Sequence, residues 1–145
     1  MWIMQEISKD VSDFAERYTA AWCSQKAELV AEFFAPDGSL TINGGAPALG
    51  REEIGAAARS FMTAFPDLRV KMTRLVSVED RLEYHWTLTG TNTGPGGRGR
   101  AVCISGLEIW RFAPDGLIQE SLGSFDAADY ERQISGAPGV NAGVE

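Results

Sequence analysis

Apolar residues in the first half of the chain recur at the three- and four-residue spacing of an α-helix in three segments. Ser8 or Asp10 is a suitable N-cap for the first helix, and Pro66 ends the third, which begins near Arg51. Pro36-Asp37-Gly38 is a turn signal that predicts the end of the second helix. A short strand over residues 39–43 and a loop over 44–47 then lead to the third helix. The apolar positions are Val11, Phe14, Ala15, Tyr18 and Trp22, then Ala27, Val30, Phe33 and Phe34, and then Ile54, Ala58, Phe61 and Phe65.

From Asp67 onward the hydrophobic period changes from about 3.6 residues to two, which is typical of strands. The alternation predicts four strands and, after them, a short helix capped by Asp126. These elements cover residues 68–78, 81–92, 101–112 and 117–125 for the strands and 126–134 for the helix. The chain is predicted to be a single α+β domain over residues 1–145, with its core at about 7–135 and a loose tail at 136–145.

The predicted architecture is a cone-shaped, curved antiparallel sheet wrapped around three N-terminal helices. Such a sheet leaves an apolar cavity between itself and the helices, where a small ligand can bind. In the 81–92 strand, Leu82, Tyr84 and Trp86 share one face, and the other face carries polar side chains such as His85.

The strand over 101–112 is apolar in part on both faces, which indicates that both sides of the sheet are covered. The helices cover one side, and a second copy of the chain is the simplest cover for the other. We therefore expect a homodimer that forms through the outer face of the sheet.

The composition excludes several classes of function. The chain of 145 residues has 13 Lys and Arg against 20 Asp and Glu, a net charge of −7, so nucleic acid and anionic lipid are not expected partners. A single His and the distant Cys23 and Cys103 match no metal site. No apolar run approaches the roughly 18 residues of a membrane span, and two cysteines without a disulfide framework favour the cytoplasm.

Glu108 is the main candidate for chemistry, because it shares the apolar face of its strand with Trp110. Burial in such a stripe raises the pKa of a carboxyl group, which can then act as a general acid or as a neutral hydrogen-bond donor. The alternatives are a salt bridge to Arg111 or Arg98, or a carboxylate that faces water. Tyr18 lies on the apolar face of the first helix, where its hydroxyl needs a partner. That partner is either a backbone carbonyl or Glu108.

Strand parity also separates the remaining polar candidates. His85 lies on the face opposite Tyr84 and Trp86, so a solvent or interface role is favoured over catalysis. Asn92 shares parity with Trp86 and is expected to reach the mouth of the cavity.

Several short motifs, in order along the chain, resemble the nuclear transport factor 2-like superfamily. The similarity covers about residues 7–135 and is strongest to the SnoaL-like polyketide cyclases and the ketosteroid isomerase-like proteins. The motifs are Arg17-Tyr18, Phe34-Ala35-Pro36-Asp37, Gly50-Arg51-Glu52-Glu53-Ile54, Phe65-Pro66-Asp67-Leu68, Gly90-Thr91-Asn92-Thr93-Gly94 and Arg111-Phe112 through Gly116 to Gln133-Ile134.

This resemblance implies a dimeric cone-shaped fold whose apolar pocket needs no metal or organic cofactor. Tyr18 matches the helix-1 tyrosine of the isomerase-like oxyanion hole, and Glu108 falls at its protonated acid, with one extra methylene. The chain departs from both families elsewhere. Ile42 and Asn43 stand where the isomerase base is expected, and the acid–base Asp of the cyclases aligns with Gly123. Asn92 also replaces the His of a motif common in SnoaL-like relatives.

The resemblance and the residues together suggest a cofactor-independent cyclase or isomerase that moves a proton on a small, mostly apolar carbonyl compound. Tyr18 and Glu108 would stabilise an enolate, and Asn43 or Asn92 would orient a polar group. The predicted walls of the pocket are Trp22, Phe61, Trp86, Trp110 and Phe125. The alternatives are a non-catalytic protein that binds a small apolar molecule in the same pocket, and a dimerisation scaffold whose own aromatic side chains fill the pocket.

Overall fold

The structure, a computed structural model, describes residues 7–136. It contains four helices and six strands, and it confirms the predicted α+β class with a curved, unclosed sheet. The elements are α1 (Lys9–Cys23), α2 (Ala27–Ala31), β1 (Phe34–Ile42), β2 (Ala48–Leu49), α3 (Gly50–Ala64), β3 (Arg69–Val78), β4 (Arg81–Thr91), β5 (Ala101–Phe112), β6 (Ile118–Phe125) and α4 (Ala127–Ser135).

The predicted caps are present at both ends of the fold. The Ser8 hydroxyl accepts a hydrogen bond from the Val11 amide at 3.1 Å, so Ser8 and not Asp10 caps α1. The Asp126 carboxylate caps α4 by accepting from the Asp129 amide at 3.0 Å. The predicted tail lies outside the described residues from residue 137 onward.

The region after α2 differs from the prediction. The helix ends at Ala31, and Pro36-Asp37-Gly38 lies inside β1 instead of forming a turn. The pairing of β1 with β6 shifts between Phe34 and Ser39, so these turn-forming residues are accommodated as a bulge in a paired strand. Gly38 is needed there, because a Cβ atom would lie 2.9 Å from the Ile118 carbonyl oxygen.

The strands form one sheet in the order β2-β1-β6-β5-β4-β3. Every pairing is antiparallel except that of β1 with β6, so the sheet is mixed and not wholly antiparallel as expected. The parallel pair is possible because the chain between β1 and β6 is long enough for a crossover. The two-residue strand β2 was not predicted, since it is too short to show a hydrophobic period.

The core lies between the inner face of the sheet and the helices. Leu82, Tyr84 and Leu88 are buried on that face of β4, as the alternation predicted. Tyr18 and Trp22 of α1 belong to the same core cluster as Leu82 and Tyr84, and this cluster borders the functional site described below. Within residues 7–136, no helix is both long and apolar enough to span a membrane.

Candidate functional site

A buried carboxyl group, Glu108, lies at the centre of the fold and is 7% exposed. Its Oε1 atom accepts hydrogen bonds from the Tyr18 hydroxyl at 2.9 Å, from the Trp110 indole N–H at 2.8 Å and from the Ser121 hydroxyl at 2.8 Å. Its Oε2 atom lies 3.1 Å from the Tyr18 hydroxyl oxygen. The structure therefore places Tyr18 and Glu108 in direct contact.

Three elements bring these groups together. Glu108 and Trp110 point to the same face of β5 because they are two residues apart. Ser121 of β6 pairs directly with Trp110, and Tyr18 approaches from the buried face of α1. The rings hold one another in place, because Trp110 stacks on Tyr84 at 4.8 Å and Tyr18 meets Trp110 edge-on at 5.0 Å.

The salt-bridge alternatives for Glu108 are wrong. The guanidinium of Arg111 lies 3.7 Å from Glu120, and Arg98 donates a hydrogen bond to the Ser135 carbonyl oxygen. No cation compensates the burial of Glu108 in the described part of the chain, so its protonation depends on burial and on hydrogen bonds alone.

Burial raises the pKa of Glu108, while the hydrogen bonds from Trp110, Ser121 and Tyr18 lower it; the net change is upward. Burial, together with the nearby Glu108 charge, raises the pKa of Tyr18 well above its ordinary value. The tyrosine is therefore neutral, and the carboxyl group is biased toward its neutral form.

Glu108 lines an apolar cavity of about 60 Å³ between the sheet and the helices. This volume is several times the roughly 10–15 Å³ that one water molecule requires, so a small organic molecule is a suitable occupant. The other lining residues are Trp22, Leu40, Ile42, Phe61, Val70, Tyr84, Trp86, Leu88, Ile104, Gly123, Ser124 and Phe125.

The residues predicted at the site fall into two groups. Trp22, Phe61, Trp86 and Phe125 line the cavity together with Glu108. Tyr18, Trp110, Asn43 and Asn92 are not among its lining residues.

Those four residues are held in other roles. Tyr18 and Trp110 lie behind Glu108, to which both donate hydrogen bonds. The Asn43 side chain accepts a hydrogen bond from the Phe125 amide at 2.9 Å. The Asn92 side chain donates one to the Ala64 carbonyl oxygen at 3.1 Å. Each asparagine follows the last residue of a strand and bonds to a backbone group at the end of another element, Phe125 of β6 or Ala64 of α3, a demand that strand parity does not reveal.

Sequence reasoning missed Ser121, which is fully buried, and Tyr84 as a lining residue. Strand parity could have located Ser121, because it is a small polar residue on the same face of its strand as Gly123 and Phe125. Gly123 itself lies directly opposite Glu108. A Cβ atom at Gly123 would lie 3.6 Å from the Glu108 Cγ atom, so a side chain there would enter the cavity.

The positions where the resemblance implies a base, at Ile42 or Asn43 and at Gly123, carry no ionisable side chain. Ile42 and Gly123 both line the cavity, and the lining residues with ionisable side chains are Glu108 and Tyr84. The Tyr84 hydroxyl is paired with Thr19, and burial raises its pKa. Trp22 supplies a further polar atom, since its indole nitrogen is buried with no hydrogen-bond partner in the described part of the chain.

The single histidine lies away from this site. Its Nε2 atom is 3.0 Å from a carboxylate oxygen of Glu83, on the outer face of β4. Within residues 7–136, no cluster of three or more His, Cys, Asp or Glu residues is arranged to hold a metal ion.

Comparison of the sequence with known families matches residues 12–134 to the family described as SnoaL-like polyketide cyclase. The comparison with curated proteins gives no match.

Solved structures with the same fold are similar over most of the chain. A protein with a ketosteroid isomerase-like fold from Catenulispora acidiphila, in complex with trimethylamine, is 17% identical, with a TM-score of 0.74 over 85% of this chain and 92% of that one. A candidate SnoaL-like polyketide cyclase from Jannaschia sp. CCS1 is 19% identical, with a TM-score of 0.73 over 92% and 99% of the two chains. AclR, a candidate hydroxylase from Streptomyces galilaeus, is 21% identical, with a TM-score of 0.76 over 92% and 85%.

Proposed function

Because the chain belongs to the SnoaL-like polyketide cyclase family, we propose that it catalyses proton transfer on a small, mostly apolar carbonyl compound, in a cyclisation or an isomerisation. The observation that carries this proposal is the Glu108 carboxyl group, which is buried, has a raised pKa and lines an apolar cavity. Such a group is suited to donate a hydrogen bond or a proton to a carbonyl oxygen.

In the proposed reaction, the neutral Glu108 donates its proton to the carbonyl oxygen as the α-carbon of the substrate loses a proton to water. An enol and a Glu108 carboxylate result. The three donors on Oε1 stabilise that carboxylate until the enol returns its proton and another carbon of the substrate takes up a proton from water. In an isomerisation, the double bond moves and no proton is gained or lost overall.

Tyr18 takes part in this mechanism through Glu108. Its hydroxyl donates to the carboxyl group, and Tyr18 is not among the residues that line the cavity. We therefore propose that Tyr18 does not contact the enolate directly. It is a positioning residue that sets the acidity of Glu108.

The test follows a six-membered β,γ-unsaturated ketone by proton NMR in D₂O, where isomerisation and deuterium uptake are separate signals. We expect Glu108→Ala to lower kcat by about a hundredfold or more, since the loss of one preorganised donor to a developing oxyanion has an effect of that order. Glu83→Ala, on the outer face, is the matched control and is expected to retain full turnover. Equal turnover by Glu108→Ala and the unmodified protein would refute the proposed role.

A second candidate function is the binding of a small molecule without turnover. It is favoured by Ile42 and Gly123, which bring no base to the cavity. Aromatic rings surround the cavity, and such rings together with a carboxylate also suit a small ammonium ion. One solved structure of the same fold contains trimethylamine.

Titration calorimetry with trimethylamine and with the ketone separates the two candidate functions. Tight binding of either probe with no isomerisation or deuterium uptake supports the binding function, and turnover of the ketone contradicts it. The Gly123→Ala variant, in which a methyl group enters the cavity, is expected to weaken binding of both probes.

A further inference from the structure

We propose that Trp110 and Ser121 are positioning residues that hold Glu108 Oε1 as a permanent acceptor, so that the acid proton resides on Oε2. This inference deepens the proposed function. It rests on that function only for the expected effect of these residues on kcat. The arrangement itself is a property of the protein without a ligand.

The identity of the donors determines which oxygen carries the proton. An indole N–H can only donate, and the Trp110 nitrogen lies 2.8 Å from Oε1. A proton on Oε1 would place two hydrogens against each other at this contact. Ser121 and Tyr18 add two more donors to the same atom, at 2.8 and 2.9 Å, which use its acceptor capacity.

The other oxygen is in a different environment. Tyr18 is the hydrogen-bonding neighbour of Oε2, at 3.1 Å, and its single hydroxyl proton is closer to Oε1. Oε2 therefore has room for a proton of its own. Since Glu108 lines the cavity and Oε1 is enclosed by three donors, Oε2 is the atom that meets a ligand.

The fixed positions of the donors disfavour a rotation of the carboxyl group that would exchange its two oxygens. Trp110 is fully buried and stacked on Tyr84 at 4.8 Å, and Ser121 is fully buried on the neighbouring strand β6. A half-turn of the carboxyl group would put the protonated oxygen against the donor-only indole. The protein thus fixes the proton on Oε2, the oxygen that is not enclosed by three donors, before a ligand arrives, which is preorganisation of the kind that lowers a catalytic barrier.

The ligand class follows from this polarity. Besides the indole N–H of Trp22, which has no partner in the described part of the chain, the lining offers the Oε2–H group in an apolar wall. The matching ligand therefore carries a neutral acceptor such as a carbonyl oxygen. Tyr18 and Tyr84 are the ionisable groups that face Glu108, and both have raised pKa values and stay neutral near pH 7. An ammonium ion would need the ionised form of Glu108.

The first experiment titrates the protein with its glutamate Cδ carbons labelled with ¹³C, followed by NMR without any ligand. Because the Ser121 hydroxyl stabilises the carboxylate, its loss in Ser121→Ala is expected to raise the pKa of Glu108 by about one pH unit. Trp110→Phe, which keeps the ring stack, is expected to act in the same direction. Ser121→Thr keeps a hydroxyl and is expected to restore the original titration.

Ser105→Ala is the matched control, since Ser105 is an exposed serine on the outer face of β5 that pairs with Thr87. An unchanged Glu108 titration in both Ser121→Ala and Trp110→Phe would overturn the inference. Urea unfolding of each variant shows that the folded protein is the species titrated.

The second experiment separates this inference from the proposed function. With the ketone as substrate, Ser121→Ala is expected to lower kcat about tenfold with little change in KM, and Ser121→Thr to restore it. If the titration shifts but the unmodified protein turns over no ketone, the arrangement at Oε1 stands and the proposed catalysis fails. If turnover occurs and Ser121→Ala leaves both kcat and the titration unchanged, the catalysis stands and the positioning role fails.

Discussion

Two glycines on the inner face of the sheet have opposite tolerance for a side chain. At Gly106, a Cβ atom would lie 2.3 Å from the Ser124 carbonyl oxygen and 2.6 Å from the Trp86 ring. At Gly123, the nearest atoms would be at ordinary contact distance, 3.6 Å. Gly106 thus allows Trp86 to lie across β5 as a cavity wall, whereas Gly123 leaves part of the cavity empty.

We expect Gly106→Ala to lower the free energy of unfolding by about 1–3 kcal/mol or more, as overpacking against backbone does. Gly123→Ala is its matched partner and should change that free energy by less than about 1 kcal/mol, while it reduces the space for a ligand. Urea unfolding of the two variants gives both values. A similar loss of stability at the two sites would contradict this assignment of the glycines.

The protonation of Glu108 also predicts how stability depends on pH. Its folded pKa is raised, so its contribution to stability is fully present below the ordinary glutamate pKa and is lost as pH rises through the folded pKa. Glu108→Gln mimics the neutral acid and should remove this component. The free energy of unfolding of the unmodified protein should therefore fall relative to that of Glu108→Gln as pH increases above about 4.5.

This pH difference is measured by urea unfolding of both proteins at a series of pH values. Glu83→Gln serves as the control for the loss of a negative charge. In the unmodified protein, the Glu83 carboxylate pairs with His85 on the outer face. A constant difference between Glu108→Gln and the unmodified protein at all pH values would contradict the raised pKa.

The helices differ in how much of the fold depends on them. α1 carries Tyr18 and Trp22 and buries four of its residues. α4 has no buried residue, although its Tyr130 ring contacts Phe125 at 5.6 Å. The same kind of N-cap should therefore have a different effect on stability in each helix.

We expect Ser8→Ala to lower the global free energy of unfolding by about 1 kcal/mol, because α1 cannot loosen without exposing the core. Asp126→Ala should instead increase fraying of α4 and leave the global value nearly unchanged. Amide hydrogen exchange, combined with urea unfolding, distinguishes local from global opening. Equal effects of the two substitutions on global unfolding would show that α4 is part of the cooperative core.

Prediction of the elements from sequence worked where the signal is local. The period of the apolar residues located α1, α3 and the four long strands to within a few residues. It misjudged Pro36-Asp37-Gly38, because these turn-forming residues are used in a bulge that long-range pairing with β6 imposes. Parity assigned Asn92 to the mouth of the cavity, and Asn43 was expected to orient a polar group, but both side chains bond to backbone groups instead.

At the scale of the whole molecule, the outer face of the sheet carries exposed apolar residues. Leu107 and Ile109 are partly exposed there, and the adjacent Leu122 is 43% exposed. Ion pairs surround this apolar patch, among them Arg111 with Glu120. We propose that a second copy of the chain covers the patch, so that the protein is a homodimer through its outer sheet face.

We expect light scattering to give the mass of a dimer at micromolar concentration, and Leu122→Lys to shift the protein to monomer. Leu49→Lys is the matched control, since Leu49 on β2 is the other large apolar residue that is exposed in the described part of the chain. A monomeric mass for the unmodified protein, or dimers that withstand Leu122→Lys and dissociate with Leu49→Lys, would contradict this interface.

The sequence by itself determined α1, α3 and the four long strands, which face of each is apolar, and that Glu108 is a carboxyl group inside an apolar stripe. Periodicity and capping act between residues a few positions apart, so the sequence displays them directly. Only the tertiary structure decided the parallel pairing of β1 with β6, the bulge in β1 and the three donors that meet on one oxygen of Glu108. These depend on distances between residues up to 90 positions apart, which arise only when α1, β5 and β6 pack together.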